Sequence, residues 1–251
     1  MAGVAEIWRH PIKSHGREAL TSVELTAGQT MPWDRHWAVT HDATKFSTDD
    51  PQWVICRNFM ITASTPALAG IWAKLNETTG HITLSHMDLS DISFDPSDPQ
   101  DAERFIDWVS PLCPTENRMP KALVTSALRG MTDSRSPTVS IMTKASHSAV
   151  EKQLGRALGL QRWRGNIWLD GPEAWEENDW VGKDIRIGTS VLTVRKPIER
   201  CMATAANPKT GLRDVDTLGA LRDGWGHQNF GVYAIVKTGG KIAVGDSYEV
   251  F

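Results

Sequence analysis

Residues 195–218, RKPIERCMATAANPKTGLRDVDTL, set a single cysteine between a cationic approach and a turn-rich exit. Arg195, Lys196 and Arg200 precede Cys201, while Asn207-Pro208 and Thr210-Gly211 mark turns beyond it. A structural cysteine behaves as a small apolar residue among apolar neighbours, and this segment is not of that kind. Nearby cations favour the thiolate, which attacks electrophiles or binds soft metals. Local chemistry alone leaves two readings: a functional thiol, or an inert one beside incidental surface charge. Cys56, in the apolar strand-like run WVICR, and Cys113, between Pro111 and Pro114, read as structural.

Outward from this segment, strand-like runs recur at 4–8, 37–40, 81–85, 122–125, 139–142, 166–169, 184–187, 191–195, 231–236 and 248–251. Helical patterns are sparse. One is expected over 145–158, where Val150, Leu154 and Leu158 recur every four residues and Gly159 offers a left-handed end. Shorter ones are expected over 101–109 and 215–222. This predicts a β-rich α+β chain. The stretch 87–107, MDLSDISFDPSDPQDAERFID, carries seven acids against one base, so it reads as a solvated connection. The boundary is placed there, giving two domains over 1–98 and 99–251. Two hairpins are expected: DIRIGTSVLTV, and FGVYAIVK with the tail GGKIAVGDSYEVF across Thr238-Gly239-Gly240.

A hydrophobic fraction of 40% with 23% charged residues is ordinary globular composition. No apolar run reaches the roughly 18 residues of a membrane span, and the start MAGVAEIWRHPIKSHG lacks an apolar signal core. Three scattered cysteines do not make a disulfide framework, so a reducing, cytoplasmic setting is expected. A net charge of −3 argues against a nucleic-acid partner, and an anionic ligand would need a local basic pocket. Trp163 and Trp168, bracketing Arg164-Gly165-Asn166, are the tryptophans expected to line one.

With the cysteine motif IERCMATAANPKTG and the terminal FGVYAIVKTGGKIAVGDSYEVF in view, the chain resembles the MOSC family, named after the C-terminal domain of molybdenum cofactor sulfurase. The first 95 or so residues resemble the β-barrel domain that precedes MOSC in one branch, through HPIKSHG, Asp34-Arg35 and the later Arg57, so the resemblance implies an N-terminal β-barrel-like domain followed by a MOSC β-barrel with a few helices. That branch includes the mitochondrial amidoxime-reducing component and bacterial reductases of N-hydroxylated bases. The resemblance implies a bound molybdenum–pyranopterin (molybdopterin) cofactor, with Cys201 as the thiolate ligand to the metal. Lys13, Ser14, Arg35, Arg164 and Asn166 match family positions that contact the cofactor, and Arg57 and Arg200 join the set. The residue types suit an anionic pterin: guanidinium forks and an ammonium hold phosphate, and Ser14 and Asn166 suit a polar ring edge. The family's acid-and-hydroxyl segment near the metal does not align without a shift, which leaves Asp133, Ser134 and Ser136 as candidates.

The expected activity is reduction of a small N-hydroxylated substrate. No cysteine cluster and no Gly-rich dinucleotide fingerprint is present, so electrons are expected from a separate ferredoxin- or cytochrome-type protein, with no membrane partner. A sulfur carrier with a Cys201 persulfide, or a non-catalytic cofactor carrier, are the alternatives. Other templates fail: HExxH, paired CxxC, GxSxG and the phosphate-loop pattern are all missing.

Overall fold

A computed structural model describes residues 2–114, 118–126 and 129–251. In chain order the elements are β1 (Gly3–Arg9), β2 (Glu18–Leu20), β3 (Ser22–Leu25), β4 (Trp37–His41), β5 (Trp72–Leu75), β6 (Ile82–His86), β7 (Leu89–Phe94), α1 (Pro99–Val109), β8 (Pro120–Thr125), β9 (Val139–Thr143), α2 (Lys144–Leu154), β10 (Ile167–Asp170), β11 (Asp184–Ile187), β12 (Ser190–Glu199), α3 (Thr217–Trp225), β13 (Asn229–Thr238), β14 (Gly240–Ala243) and β15 (Tyr248–Val250). The fold is β-rich α+β, as the strand-like runs predict.

The main sheet has eight strands in the order β15-β11-β12-β13-β9-β10-β1-β2. Its strands alternate large aliphatics on the buried face: Ile7, Ile141, Ile167, Ile185, Leu192, Val194 and Val232 form one core, joined by Ile242 of β14. The N-terminal strand is integral to it, because β1 pairs antiparallel with β10, Gly3 opposite Asp170 and Ile7 opposite Ile167. A second core lies under the β5-β6-β7 meander and α1, where Phe94 stacks on Phe105 with ring centroids 4.9 Å apart. A third joins Trp163, Trp168 and Phe230 to Val150 of α2 and Leu221 of α3. Side-chain caps start all three helices: Asp98 accepts from Gln100 N, Thr143 from Ser146 N and Asp216 from Gly219 N.

Several expectations need correction. The 11-residue helix α2 stops at Gly155, left-handed at φ 63°, rather than at Gly159. The four-residue period runs on to Leu158 because Leu158 packs into the same core from beyond the helix end. The 87–107 stretch is not a bare connection: β7 and most of α1 lie in it, with acids on the wet faces and Ile92, Phe94 and Phe105 buried. The β11–β12 hairpin forms, with Ile187 opposite Ser190. The hairpin across 238–240 does not. There β13 lies between β12 and β9, β14 pairs with β3, and β15 pairs with β11. Gly239 and Gly240 serve close approach instead of a tight turn: a Cβ on each would lie 2.7 Å from Leu25 O and 2.6 Å from Thr189 Oγ1.

Candidate functional site

Four loops converge where β1 and β12 end and β4 and β10 begin. The Lys13-Ser14 turn follows β1, closed by the His15 N–H donating to Ile12 O at 3.0 Å and pinned to β4 by the Lys13 N–H donating to Trp37 O at 2.8 Å. Arg35 precedes β4, its N–H bonded to His10 O at 2.6 Å. Arg164 ends the 3-10 turn Leu160–Trp163, and Cys201 follows β12. Ser14 (φ 63°), Arg35 (φ 53°) and Arg164 (φ 50°) are all left-handed, three of the five non-glycine residues so held among those described. Such backbone costs roughly 1–3 kcal/mol per residue and persists where the surroundings over-determine it, commonly at functional sites.

Between these loops lies a cavity of about 220 Å³ lined by cations, two thiols and Tyr233. Lys13, Arg35, Arg162, Arg164 and Arg200 contribute five positive groups to its wall, against Asp133 and Glu199. Not all five face a ligand equally. Arg200 spends its guanidinium on structure, donating from Nε to Phe230 O and from Nη1 to Trp163 O, each at 2.8 Å. It thereby fixes the residue before Cys201 against β13. Arg162 donates to Thr204 O at 2.8 Å and approaches Asp214, tying down the segment after the cysteine. Lys13, nearly sealed from solvent, donates to Met131 O at 2.8 Å and pairs with Asp133 at the rim.

Arg35 and Arg164 form the centre of the basic wall. Arg35 pairs with the buried carboxylate of Asp34, which also accepts the His10 N–H at 2.8 Å. Burial alone would favour the neutral acid at Asp34, yet Arg35 and His10 hold its carboxyl well below the usual range. Burial, then repulsion from Arg164 and Arg35, lowers His10 to about 3, so its ring is neutral near pH 7. Burial also brings Arg164 down to about 9, with Arg35 and Arg17 adding to the effect. The Arg164 guanidinium makes one hydrogen bond in the protein among the described residues, from Nη2 to Gly16 O at 3.3 Å. It is the guanidinium with most capacity left for an anion. Cys201 is exposed and unpaired at the mouth.

The MOSC domain model matches residues 131–249, and the model of the MOSC N-terminal beta barrel domain matches residues 1–110. The chain belongs to the MOSC family. It is 30% identical over 120 residues to mitochondrial amidoxime-reducing component 1 of Xenopus laevis, a stretch covering 43% of this chain and 34% of that protein. It is 35% identical over 75 residues to molybdenum cofactor sulfurase of Anopheles gambiae, covering 30% of this chain and 10% of the other. The match thus spans about a third or less of these relatives. The YUAD protein from Bacillus subtilis shares the fold at a TM-score of 0.50 and 13% identity, over 100% of this chain and 96% of that one.

In this MOSC chain the cavity gathers Lys13, Ser14, Arg35, Asp133, Arg164, Arg200 and Cys201 from the candidates. It does not gather Arg57, Ser134, Ser136 or Asn166. Arg57 faces an outer cleft with Lys45, Arg118 and Arg135. Ser134 is buried and accepts the Ser136 N–H at 3.3 Å, while Ser136 is exposed. Asn166 is a strut: its Oδ1 accepts from Ser140 N and Oγ, and its Nδ2 donates to Trp8 O at 3.2 Å. Of the two tryptophans, Trp163 lines the cavity and Trp168 is sealed in the core. Arg162 and Tyr233, which the sequence does not single out, also line it, and so does Cys56, which reads as structural. The Arg-Trp-Arg alternation of 162–164 was a signal for Arg162. Cys56 was masked by its apolar neighbours, since a 3-10 turn (Cys56–Asn58) gives it a different facing from the rest of its run.

Proposed function

We propose that the chain binds a molybdenum–pyranopterin cofactor in this cavity and reduces N-hydroxylated compounds with electrons from another protein. The observation that carries the reading is the convergence of a basic wall on one exposed, unpaired cysteine. The donor set fits the group. An anionic pterin needs buried cations with hydrogen-bonding capacity left, and Arg164 has it, while the buried Arg162 Nε has no partner among the described residues. A soft metal needs a thiolate, which Cys201 offers at the mouth. When bound, the cofactor supplies two-electron redox chemistry at its metal.

The protein's part is to hold and orient. Arg164 and Lys13 would hold negative charge, and Asp34 fixes the Arg35 fork so that little ordering remains when a ligand arrives. Arg200 and Arg162 brace the backbone on either side of Cys201. Asp133, kept ionised by Lys13 although enclosure opposes its charge, stands at the rim as an acceptor toward a substrate's N–OH proton. A separate ferredoxin- or cytochrome-type donor fits a chain of three free cysteines, which also support a reducing, cytoplasmic setting. No helix is long and apolar enough to cross a membrane among the described residues.

The test is to purify the chain from a host that makes the pterin cofactor, measure molybdenum and pterin, and record X-ray absorption for wild type and Cys201→Ser. Near-stoichiometric metal, with one sulfur ligand fewer in the variant, and amidoxime reduction on reduced viologen are expected. Unchanged sulfur coordination in Cys201→Ser would overturn the ligand assignment. Metal-loaded protein that fails to reduce, but passes labelled sulfur from Cys201, would leave the sulfur-carrier reading in its place.

A further inference from the structure

Cys201 is not the cavity's only thiol: Cys56 stands on the same wall set, although 145 residues separate the two in sequence. Both are reduced, and they differ in environment. Cys201 is exposed at the mouth, whereas Cys56 is partly covered. Burial raises the Cys56 thiol, with Asp133 adding to it and Lys13 opposing. The third cysteine, Cys113, lies in the meander core, its thiol raised to about 11 by burial and hydrogen-bonded to Val109 O.

We infer that Cys56 is the resolving thiol for Cys201, so that a peroxide closes a Cys56–Cys201 disulfide across the cavity when no cofactor fills it. The inference rests in part on the reading of Cys201 as the cavity's reactive thiol. In the first step the Cys201 sulfur attacks a peroxide oxygen; an S–O bond forms, the O–O bond breaks, and water leaves once the thiol proton is transferred. In the second, the Cys56 sulfur attacks the Cys201 sulfenic acid; an S–S bond forms, the S–O bond breaks and a second water leaves. Two thiols are oxidised by two electrons and one hydrogen peroxide is reduced to two waters.

The order follows from access: the exposed sulfur meets the oxidant, and the partly covered one waits for the sulfenic acid. A disulfide needs its Cα atoms within about 7 Å. The segment leading to Cys56 is anchored by the buried Phe46 and by Trp53 Nε1 donating to Thr132 O at 2.7 Å. Cys201 is braced through Arg200 and Thr204. The bond would protect the metal-ligating sulfur from irreversible oxidation to sulfinic acid, and a dithiol reductant would return it to a form that accepts metal.

The test uses the full cofactor-free chain, treated with a slight excess of hydrogen peroxide and mapped by mass spectrometry without reduction. Two of the three thiols should be lost, with a peptide linking Cys56 to Cys201 that dithiothreitol abolishes, and Cys113 should stay free. In Cys56→Ser the Cys201 sulfur should run on to sulfinic acid at the same dose. Sulfinic Cys201 beside free Cys56 in the wild type would overturn the inference, as would a Cys201–Cys201 link between chains or no oxidation of either thiol. Metal is absent throughout, so a failed link leaves the cofactor reading standing, and a failed cofactor reading leaves the link standing.

Discussion

The Arg35 guanidinium donates from Nη2 to the backbone carbonyl of Arg164 at 2.9 Å, joining residues 129 positions apart at the centre of the basic wall. One arginine thus positions the other's backbone, and the two should not respond alike to removal.

Arg35→Ala takes away the partner of Asp34, a carboxylate with almost no contact with solvent. Removing one member of a buried pair costs on the order of 3 kcal/mol. The sign with pH is set by Asp34, whose pKa is lowered in the fold: its stabilising share is present above an ordinary Asp value of about 3.9 and fades as pH falls. The deficit of Arg35→Ala should therefore be large at pH 7, shrink only as pH falls below about 3.9 toward the lowered folded value, and be largely repaired by adding Asp34→Asn. Urea unfolding at pH 7 and well below that value checks this; an unshifted midpoint at pH 7 would refute it.

Arg164→Ala removes a side chain with a single 3.3 Å bond to the protein, so stability should change by under about 1 kcal/mol. Cofactor retention should suffer instead, at least tenfold at limiting cofactor, because a charged hydrogen bond is worth about 1.5–3 kcal/mol. Pterin released from gel-filtered protein is the measurement. Full occupancy would remove Arg164 from the site.

Asn166→Ala should act on the fold. It strands the Ser140 N–H and the Trp8 carbonyl inside the sheet, at a cost on the order of 3 kcal/mol. The folded fraction should keep its cofactor. Normal thermal stability with lost pterin would show that Asn166 is a ligand contact after all.

Glu177 is sealed in the protein, with Ser146 Oγ donating to Oε2 at 2.8 Å and Oε1 unpartnered among the described residues. Burial raises its pKa. A raised acid lends stability below its unfolded value of about 4.3 and loses it as pH climbs through the folded value. Glu177→Gln should consequently melt above wild type at pH 8 by about 2–4 °C per kcal/mol regained, with the gap closing at pH 4.5. A gap independent of pH would contradict this account.

What could be read from sequence was local. Apolar alternation marked β11 and β12 and the turn between them, since both strands are neighbours in the chain. It gave no access to β14, whose partner β3 lies more than 200 residues earlier, and it misjudged β7 because acids on the wet face outweighed Ile92 and Phe94. At the site, residue type pointed to the cysteine and the arginines. Asn166 had the right chemistry for a ligand edge but was consumed by Ser140 and Trp8, a competition that only tertiary pairing reveals.

The placement of β1 between β10 and β2 also sets a timetable for biosynthesis. Its partner β10 emerges some 160 residues later, and at about 5–20 residues per second that is a wait on the order of ten seconds. During this interval Val4 and Ile7 have no core to enter and the edge that β10 later covers is open. Such non-local pairing slows folding and lengthens exposure to aggregation. The yield of folded chain should accordingly depend on what shields its first strand on the ribosome.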